Sequence, residues 1–379
     1  METTQPLPLL GGLTAQQFMR RHWQKKPLLV RQAIPGFRPP VDRDALFALA
    51  GRGDVESRLI SHAAGGWKLR HGPFARRSLP SRKQAGWTLL VQGVDLHHDA
   101  AHALMQSFRF LPDARLDDLM ISYASDTGGV GAHFDSYDVF LLQASGQRRW
   151  SIGRQHDLSL QEDVPLKILQ SFEPETTFLL EAGDMLYLPP RYAHDGVAVG
   201  GDCVTYSIGL RAPAAAGLGA DLLARIAEAS ADELEDAPVE SQIHYRDPSQ
   251  SAVDTPAAVP AALQAFAREA VQRALRDVDA IDRALGESMT EPKANVWFDA
   301  GAVPGAMQSV ALDRRTRMLY DARHLYINGE SFRAGGRDAT LMRRLADRRA
   351  LEPKDMARAS ADALALLGDR CEAGWAHAR

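Results

Sequence analysis

The sequence predicts an α+β fold in three parts: a double-stranded β-helix of the jelly-roll kind, an α-helical domain and a winged-helix C-terminal domain. Three observations carry this. Between Met120 and Arg211, brief apolar runs alternate with Gly- and Pro-containing turns, the rhythm of a two-sheet antiparallel barrel. After Arg211 the composition shifts toward Ala, Leu and acidic residues with helical spacing. Near the C-terminus an Asn328-Gly329 hairpin turn lies beside two helical segments. The expected boundaries are 1–212, 213–290 and 291–379.

At 379 residues and 45% hydrophobic composition the chain can build more than one core. The N-terminus lacks a basic stretch followed by an apolar core and a small-residue cleavage site. No run of eighteen apolar residues occurs, so a cytoplasmic protein with no membrane span is expected. Cys203 and Cys371 are too few for a disulfide framework and fit a reducing compartment.

The net charge of −4 hides a division along the chain. Residues 1–120 carry 17 Lys/Arg against 10 Asp/Glu, and the remainder 27 against 38. From Ser57 to Val94 no acidic residue occurs, while Arg58, Lys68, Arg70, Arg76, Arg77, Arg82 and Lys83 do. Such a block either attracts an anionic partner such as RNA or forms a solvated basic face.

In order, residues 14–27 read as a helix capped by Thr14 and stopped by Pro27, with Phe18, Met19 and Trp23 on its apolar side. Leu28–Val30 then starts a strand, Asp44–Ala50 a helix and Trp87–Gln92 a strand. Asp95–Phe110 has helical spacing, and Met120–Ala124 is a short strand. Within the barrel we expect strands at Asp138–Gln143, Arg149–Ile152, Leu166–Ser171, Thr176–Glu181, Asp184–Leu188, Gly196–Val199 and Val204–Leu210. Ala220–Ala231 and Ala261–Leu285 are helical, joined by a linker near Asp247–Pro260. Their apolar faces suit either dimerisation or packing on the barrel. Strands at Met318–Tyr320, Leu325–Ile327 and Glu330–Phe332 precede helices at Ala339–Ala346 and Pro353–Leu367. Arg343, Arg344, Arg348 and Arg349 are the basic residues a DNA-binding reading would use.

The chemistry concentrates in GGVGAHFDSYDVFLLQASGQRRW, residues 128–150. On a strand, His133 and Asp135 project from one face and could both ligate a metal. His97 and Asp99 have the same spacing but fall in a segment expected to be helical, where they diverge. His194, delivered by Pro189-Pro190, is the candidate third ligand; the alternative is a hydrogen-bonded core histidine. Two histidines and a carboxylate on one side of a metal is the arrangement of non-haem Fe(II) oxygenases. Arg148 could hold the far carboxylate of a dicarboxylate that chelates iron through a keto-acid end; Arg149, on the opposite face, is the alternative.

Together with GDMLYLPPRYAHDG and TYSIGLRAP, this stretch resembles the JmjC-type cupin oxygenases, in particular the bacterial ribosomal oxygenases, and WQKKPLLVR resembles that group's N-terminal segment. The resemblance spans residues 14–213 and extends, more loosely, to a layout of cupin, helical dimerisation region and winged helix. It implies an Fe(II)- and 2-oxoglutarate-dependent hydroxylase that uses O2 on a ribosomal protein. Characterised bacterial members hydroxylate an arginine β-carbon of the large-subunit protein numbered sixteen. Carried over, His133, Asp135 and His194 match the iron ligands and Arg148 the 2-oxoglutarate anchor. Ala124 stands where a Ser or Thr is expected to assist that anchor, leaving Ser122 or Ser125 to substitute. Tyr137 and Asp138 are expected on the substrate side, where a ring and a carboxylate suit an arginine, with core packing the other claim on Tyr137. Two readings stand beside this one: an N-methyl-lysine demethylase using the same iron chemistry, and a non-catalytic nucleic-acid-binding regulator.

Overall fold

The protein is described by a computed structural model covering residues 3–63, 66–236, 243–302, 305, 307–333 and 335–378. It divides into two compact units, Met1–Ala212 with Ala294–Trp297, and Pro213–Lys293 with Phe298–Arg379.

The first unit opens with helix α1 (Ala15–Arg21). The Thr14 hydroxyl accepts from the Gln17 backbone N–H at 3.1 Å, and the Gln17 side chain accepts from the Thr14 N–H at 3.0 Å. The helix buries Phe18 against Phe110, Phe140 and Tyr187, ring centroids 4.9–5.8 Å away. Strands β1 (Leu28–Val30), β2 (Ser57–Ala63), β3 (Gly66–His71) and β4 (Trp87–Val91) follow, with α2 (Arg43–Leu49) between the first two. After α3 (Asp99–Gln106) come β5 (Leu116–Ala124), β6 (Val139–Gly153), β7 (Thr176–Leu180), β8 (Met185–Leu188) and β9 (Ala193–Leu210). The sheet runs β1-β8-β6-β9-β5-β4-β2-β3, with β7 also paired to β6.

Two long strands organise the barrel. The first part of β6 pairs with β8 and its second part with β7, while β9 pairs with β6 along most of both lengths. Each of these strands was expected as two short ones. Register shifts around Ser145 bend the ribbon at the point where Gly146 interrupts the apolar pattern, and the ladder nevertheless continues through the bend. The expected strand at Leu166–Ser171 is absent; that segment makes only a single bridge, Leu160 to Leu169. Trp87, Tyr123, Phe140, Tyr187 and Tyr206 are fully buried between the layers. Burial of one such side chain stabilises by about 1.5–3 kcal/mol.

The acid-free stretch folds into the β2–β3 hairpin and the approach to β4; its residues 64 and 65 lie outside the described residues. In space it is not acid-free. Arg58 lies 3.9 Å from Glu56, Arg76 3.3 Å from Asp44, and Arg82 3.7 Å from Asp202. The isolated basic patch suggested by the sequence is therefore partly neutralised, by Glu56 at its edge and by Asp44 and Asp202 from elsewhere in the chain.

In the second unit, α4 (Ala215–Asp236), α5 (Ala261–Leu275) and α6 (Val278–Thr290) form the helical part. The single helix expected over 261–285 breaks at Asp277, whose carboxylate accepts from the Asp279 N–H at 3.0 Å and caps α6. The remaining chain supplies β10 (Val310–Leu312), β11 (Met318–Tyr320), β12 (His324–Ile327) and β13 (Glu330–Arg333), then α7 (Gly336–Arg348), β14 (Ala350–Leu351), α8 (Pro353–Met356), α9 (Ala361–Glu372) and β15 (Ala376–Ala378). Asn328 and Gly329 form the β12–β13 turn with φ of 48° and 89°, both left-handed, as a two-residue hairpin demands. Three of the four arginines noted on this unit are engaged internally. Arg343 donates to the Asp321 and Ala322 carbonyls, Arg344 to Asp355, and Arg349 to the Asp313 and Thr316 carbonyls.

Candidate metal and co-substrate site

His133 does not stand on a regular strand as expected. It lies in an extended segment fastened to β9 at one point: the His133 N–H donates to the His194 carbonyl at 3.0 Å, and the His194 N–H to the His133 carbonyl at 2.8 Å. The Arg191 N–H donates to the Asp135 carbonyl at 2.7 Å, extending this clasp. The two imidazole centroids are 4.2 Å apart, and His194 Nε2 is 3.7 Å from Asp135 Oδ2. One ligand atom from each of His133, Asp135 and His194 lies within 4.8 Å of the others.

The donor chemistry fits a divalent metal. His133 Nδ1 is 2.8 Å from the Gly131 carbonyl and His194 Nδ1 is 2.9 Å from the Tyr192 carbonyl. A carbonyl oxygen only accepts, so each Nδ1 carries a proton, and in the neutral imidazole Nε2 is then the nitrogen with the free lone pair. Burial, then the neighbouring His133, pushes the His194 imidazole down to about 4, so it is a neutral ligand at physiological pH. His194 turns Nε2 toward a carboxylate and a second imidazole, an orientation that suits a metal ligand. His97 lies just ahead of α3 rather than inside a helix, and His97 and Asp99 join no ligand cluster among the described residues.

Arg148 is 3% exposed, whereas Arg149 faces outward. Its Nη1 donates to Ser122 Oγ at 3.2 Å and Thr205 Oγ1 at 3.1 Å, and its Nη2 to the Gly196 carbonyl at 3.3 Å. Thr205 in turn donates to Gln143 Oε1 at 2.9 Å. Among the described residues no carboxylate pairs with Arg148, and its Nε is buried without a partner. Burial accordingly lowers the guanidinium pKa from its ordinary value. A buried cation held only by neutral groups is a receptor for an anion. Arg148 and His194 both project from the β6–β9 ribbon, where Arg148 pairs with Ala198 and Ile152 with His194.

Of the two serines considered in and beside β5, Ser122 is the one that meets Arg148. Ala124 packs with Ala198 and Cys203, while Ser125 is committed elsewhere, accepting from the Trp87 N–H at 3.1 Å. Thr205 was missed in the sequence, since a lone threonine in a β-rich run carries no spacing signal. Tyr137 exposes 38% of its surface, so it does not serve core packing. Desolvation of its hydroxyl, then the nearby Asp135 carboxylate, raises its pKa. Asp138 departs from expectation: it is fully buried and accepts from Tyr187 at 2.6 Å, Gln24 at 3.1 Å and Arg115 at 3.5 Å. These interior partners occupy it, so it ties the turn after α1 to β8 and to the start of β5 rather than facing a substrate.

The Gly-rich turn serves close packing. A Cβ at Gly129 would lie 2.8 Å from the Gly196 carbonyl oxygen, and one at Gly196 would lie 2.5 Å from the Trp150 ring. Glycine at both positions lets the turn, β9 and the Trp150 ring stack without a gap.

A JmjC domain matches residues 103–218, and a ROXA-like winged helix matches residues 272–377. The Escherichia coli ribosomal protein uL16 3-hydroxylase is 43% identical over 199 residues, 52% of this chain and 52% of that protein. The crystal structure of E. coli ycfD superposes with a TM-score of 0.82 at 30% identity, covering 97% of this chain and 98% of that one. The chain belongs to the JmjC-domain ribosomal oxygenases. Like them, it joins a cupin jelly roll to a C-terminal winged helix. A further ribosomal oxygenase structure, YcfD from E. coli in complex with cobalt and 2-oxoglutarate, has a TM-score of 0.79 at 30% identity and covers 96% of this chain and 98% of that one. By sequence, the chain spans about half the length of the curated ribosomal oxygenases it matches.

Proposed function

We propose that this protein is an Fe(II)- and 2-oxoglutarate-dependent dioxygenase that hydroxylates a ribosomal protein side chain, the β-carbon of an arginine in uL16. The observation that carries the reading is the pairing of a His-Asp-His donor set with Arg148, a buried guanidinium that meets no carboxylate among the described residues. His133, Asp135 and His194 would hold iron through two Nε2 atoms and a carboxylate oxygen. With O2 and 2-oxoglutarate, that iron supplies the oxidising chemistry, giving succinate and CO2 beside the hydroxylated product.

The chain's own residues do the positioning. Arg148, aimed by Ser122 and Thr205, takes the distal carboxylate of 2-oxoglutarate, so the keto-acid end is presented to the metal in one orientation. Tyr137, partly exposed beside Asp135, offers a ring against which a guanidinium can stack, which supports an arginine substrate. α4, α5 and α6 leave Leu223, Val271, Leu275, Val278 and Leu285 exposed, and we assign that surface to a homodimer; light scattering should report twice the chain mass. Its place of action would be the cytoplasm, with its ribosomal substrate.

The test has two stages. Anaerobic mixing of the protein with Fe(II) and 2-oxoglutarate should give a weak visible charge-transfer band. In air, incubation with uL16 should add the mass of one oxygen to an arginine-containing peptide, with stoichiometric succinate. Loss of a methyl group from lysine would assign demethylation instead, and the absence of both the band and turnover would sink the oxygenase reading.

A further inference from the structure

Trp150 lies two residues beyond Arg148 on β6, on the same face of the ribbon. Its ring is 5.2 Å from the Arg148 guanidinium carbon and its centroid is 5.8 Å from that of His194. The side chain is 6% exposed, and its indole Nε1 has no hydrogen-bond partner among the described residues. Gly196 leaves the space this ring occupies, since a Cβ there would lie 2.5 Å from it. Thus one aromatic ring touches both ends of the site, and the strand opposite is shaped around it. A core leucine would fill such a volume without an unpartnered N–H.

The π-face is what Arg148 lacks elsewhere. Its Nη atoms meet only hydroxyls and a carbonyl, which orient the guanidinium but carry no negative charge. The quadrupole of an indole supplies partial negative charge to a cation at this distance, and desolvation strengthens the contact. It does so without a formal carboxylate, which would compete with an incoming anion.

We propose that Trp150 is a positioning residue for the co-substrate: its indole face holds the Arg148 guanidinium in place and aimed, so that affinity for the distal carboxylate depends on Trp150. The proposal rests on the 2-oxoglutarate reading given above. A probe that shares the keto-acid end but lacks the distal carboxylate, 2-oxobutyrate, isolates the effect from general damage to the site.

The experiment titrates 2-oxoglutarate and 2-oxobutyrate calorimetrically into Mn(II)-loaded full-length protein, comparing wild type with Trp150→Leu and Trp150→Phe. For 2-oxoglutarate, Trp150→Leu should weaken binding by roughly 5- to 30-fold, the range a desolvated cation–π contact commands. Trp150→Phe, with a weaker π-face, should lose only about two- to fivefold. For 2-oxobutyrate, and for Mn(II) itself, both variants should match wild type. An unchanged 2-oxoglutarate affinity, or equal weakening for both acids, overturns the proposal while leaving the co-substrate site standing. Failure of the wild-type protein to bind 2-oxoglutarate removes both. If Trp150→Leu does not fold, the Phe variant decides by the same comparison.

Discussion

His133 and His194 exchange both backbone hydrogen bonds, at 3.0 and 2.8 Å, while their imidazoles lie 4.2 Å apart. The pairing fixes the ligand spacing through the backbone and leaves the side chains free to bind. His133→Ala therefore should keep the clasp and lose the donor. We expect Mn(II) affinity, followed by electron paramagnetic resonance, to fall by more than roughly 100-fold with the circular dichroism spectrum unchanged. Wild-type affinity in that variant would refute the ligand assignment.

Arg148→Met should separate stability from binding. It removes a buried charge that has no carboxylate partner among the described residues, so the metal-free protein should be as stable as wild type or gain about 1 kcal/mol. Affinity for 2-oxoglutarate should drop by roughly 100-fold, because the distal carboxylate would be desolvated without its cation. Thermal melts with and without Mn(II) and 2-oxoglutarate check both halves; a destabilised apo variant would show that the guanidinium is structural.

Ser122 and Thr205 meet the same Nη1 atom, so their effects should not add. Thr205→Val, which also severs the link to Gln143, should weaken 2-oxoglutarate binding by about tenfold, and Ser122→Ala by less. The double variant should lose more than the sum of the single losses on a logarithmic scale, because either hydroxyl alone still orients the guanidinium. Calorimetry of all three variants tests this; strict additivity would mean the two hydroxyls act independently.

Acid stability of the second unit should track Asp313. Burial pushes this carboxyl up, but hydrogen bonds from Arg315 and His377, at 2.8 and 2.9 Å, outweigh it and hold the pKa at about 2. A folded pKa below the unfolded value stabilises at neutral pH, and that contribution fades as pH falls from the ordinary carboxylate range of about 4 toward about 2. Asp313→Asn should lower the neutral-pH melting temperature and flatten its decline across that window. An unchanged slope would remove Asp313 from the acid response.

The sequence was most legible where local chemistry decides structure. The Thr14 cap, the Leu28–Val30 strand and the Asn328-Gly329 turn need only neighbouring residues to explain them. The β2–β3 hairpin was hidden because its basic residues mask the alternation of an edge strand. The continuity of β6 and β9 was hidden because Gly146 and Gly200 look like ends of strands, whereas the ladder runs past them. In the site, alternation puts Arg148 and Arg149 on opposite faces of β6, but which of them is buried depends on the strands that pair with β6. Thr205 and the interior partners of Asp138 likewise depend on which strands the barrel brings together.

The clasp and the β6–β9 pairing together make β9 a measuring stick. His194 stands on it, His133 hangs from it at the same residue, and Arg148 is paired to it at Ala198. The interval from 194 to 198 is even, which keeps both ends on one face, and corresponds to about 13 Å of extended chain. Inserting one residue there would put His194 on the opposite face from Ala198, and so from the anchor paired with it. The length of diacid that can reach both ends is thereby graduated in backbone repeats, and analogues one carbon shorter or longer should meet one mark or the other but not both.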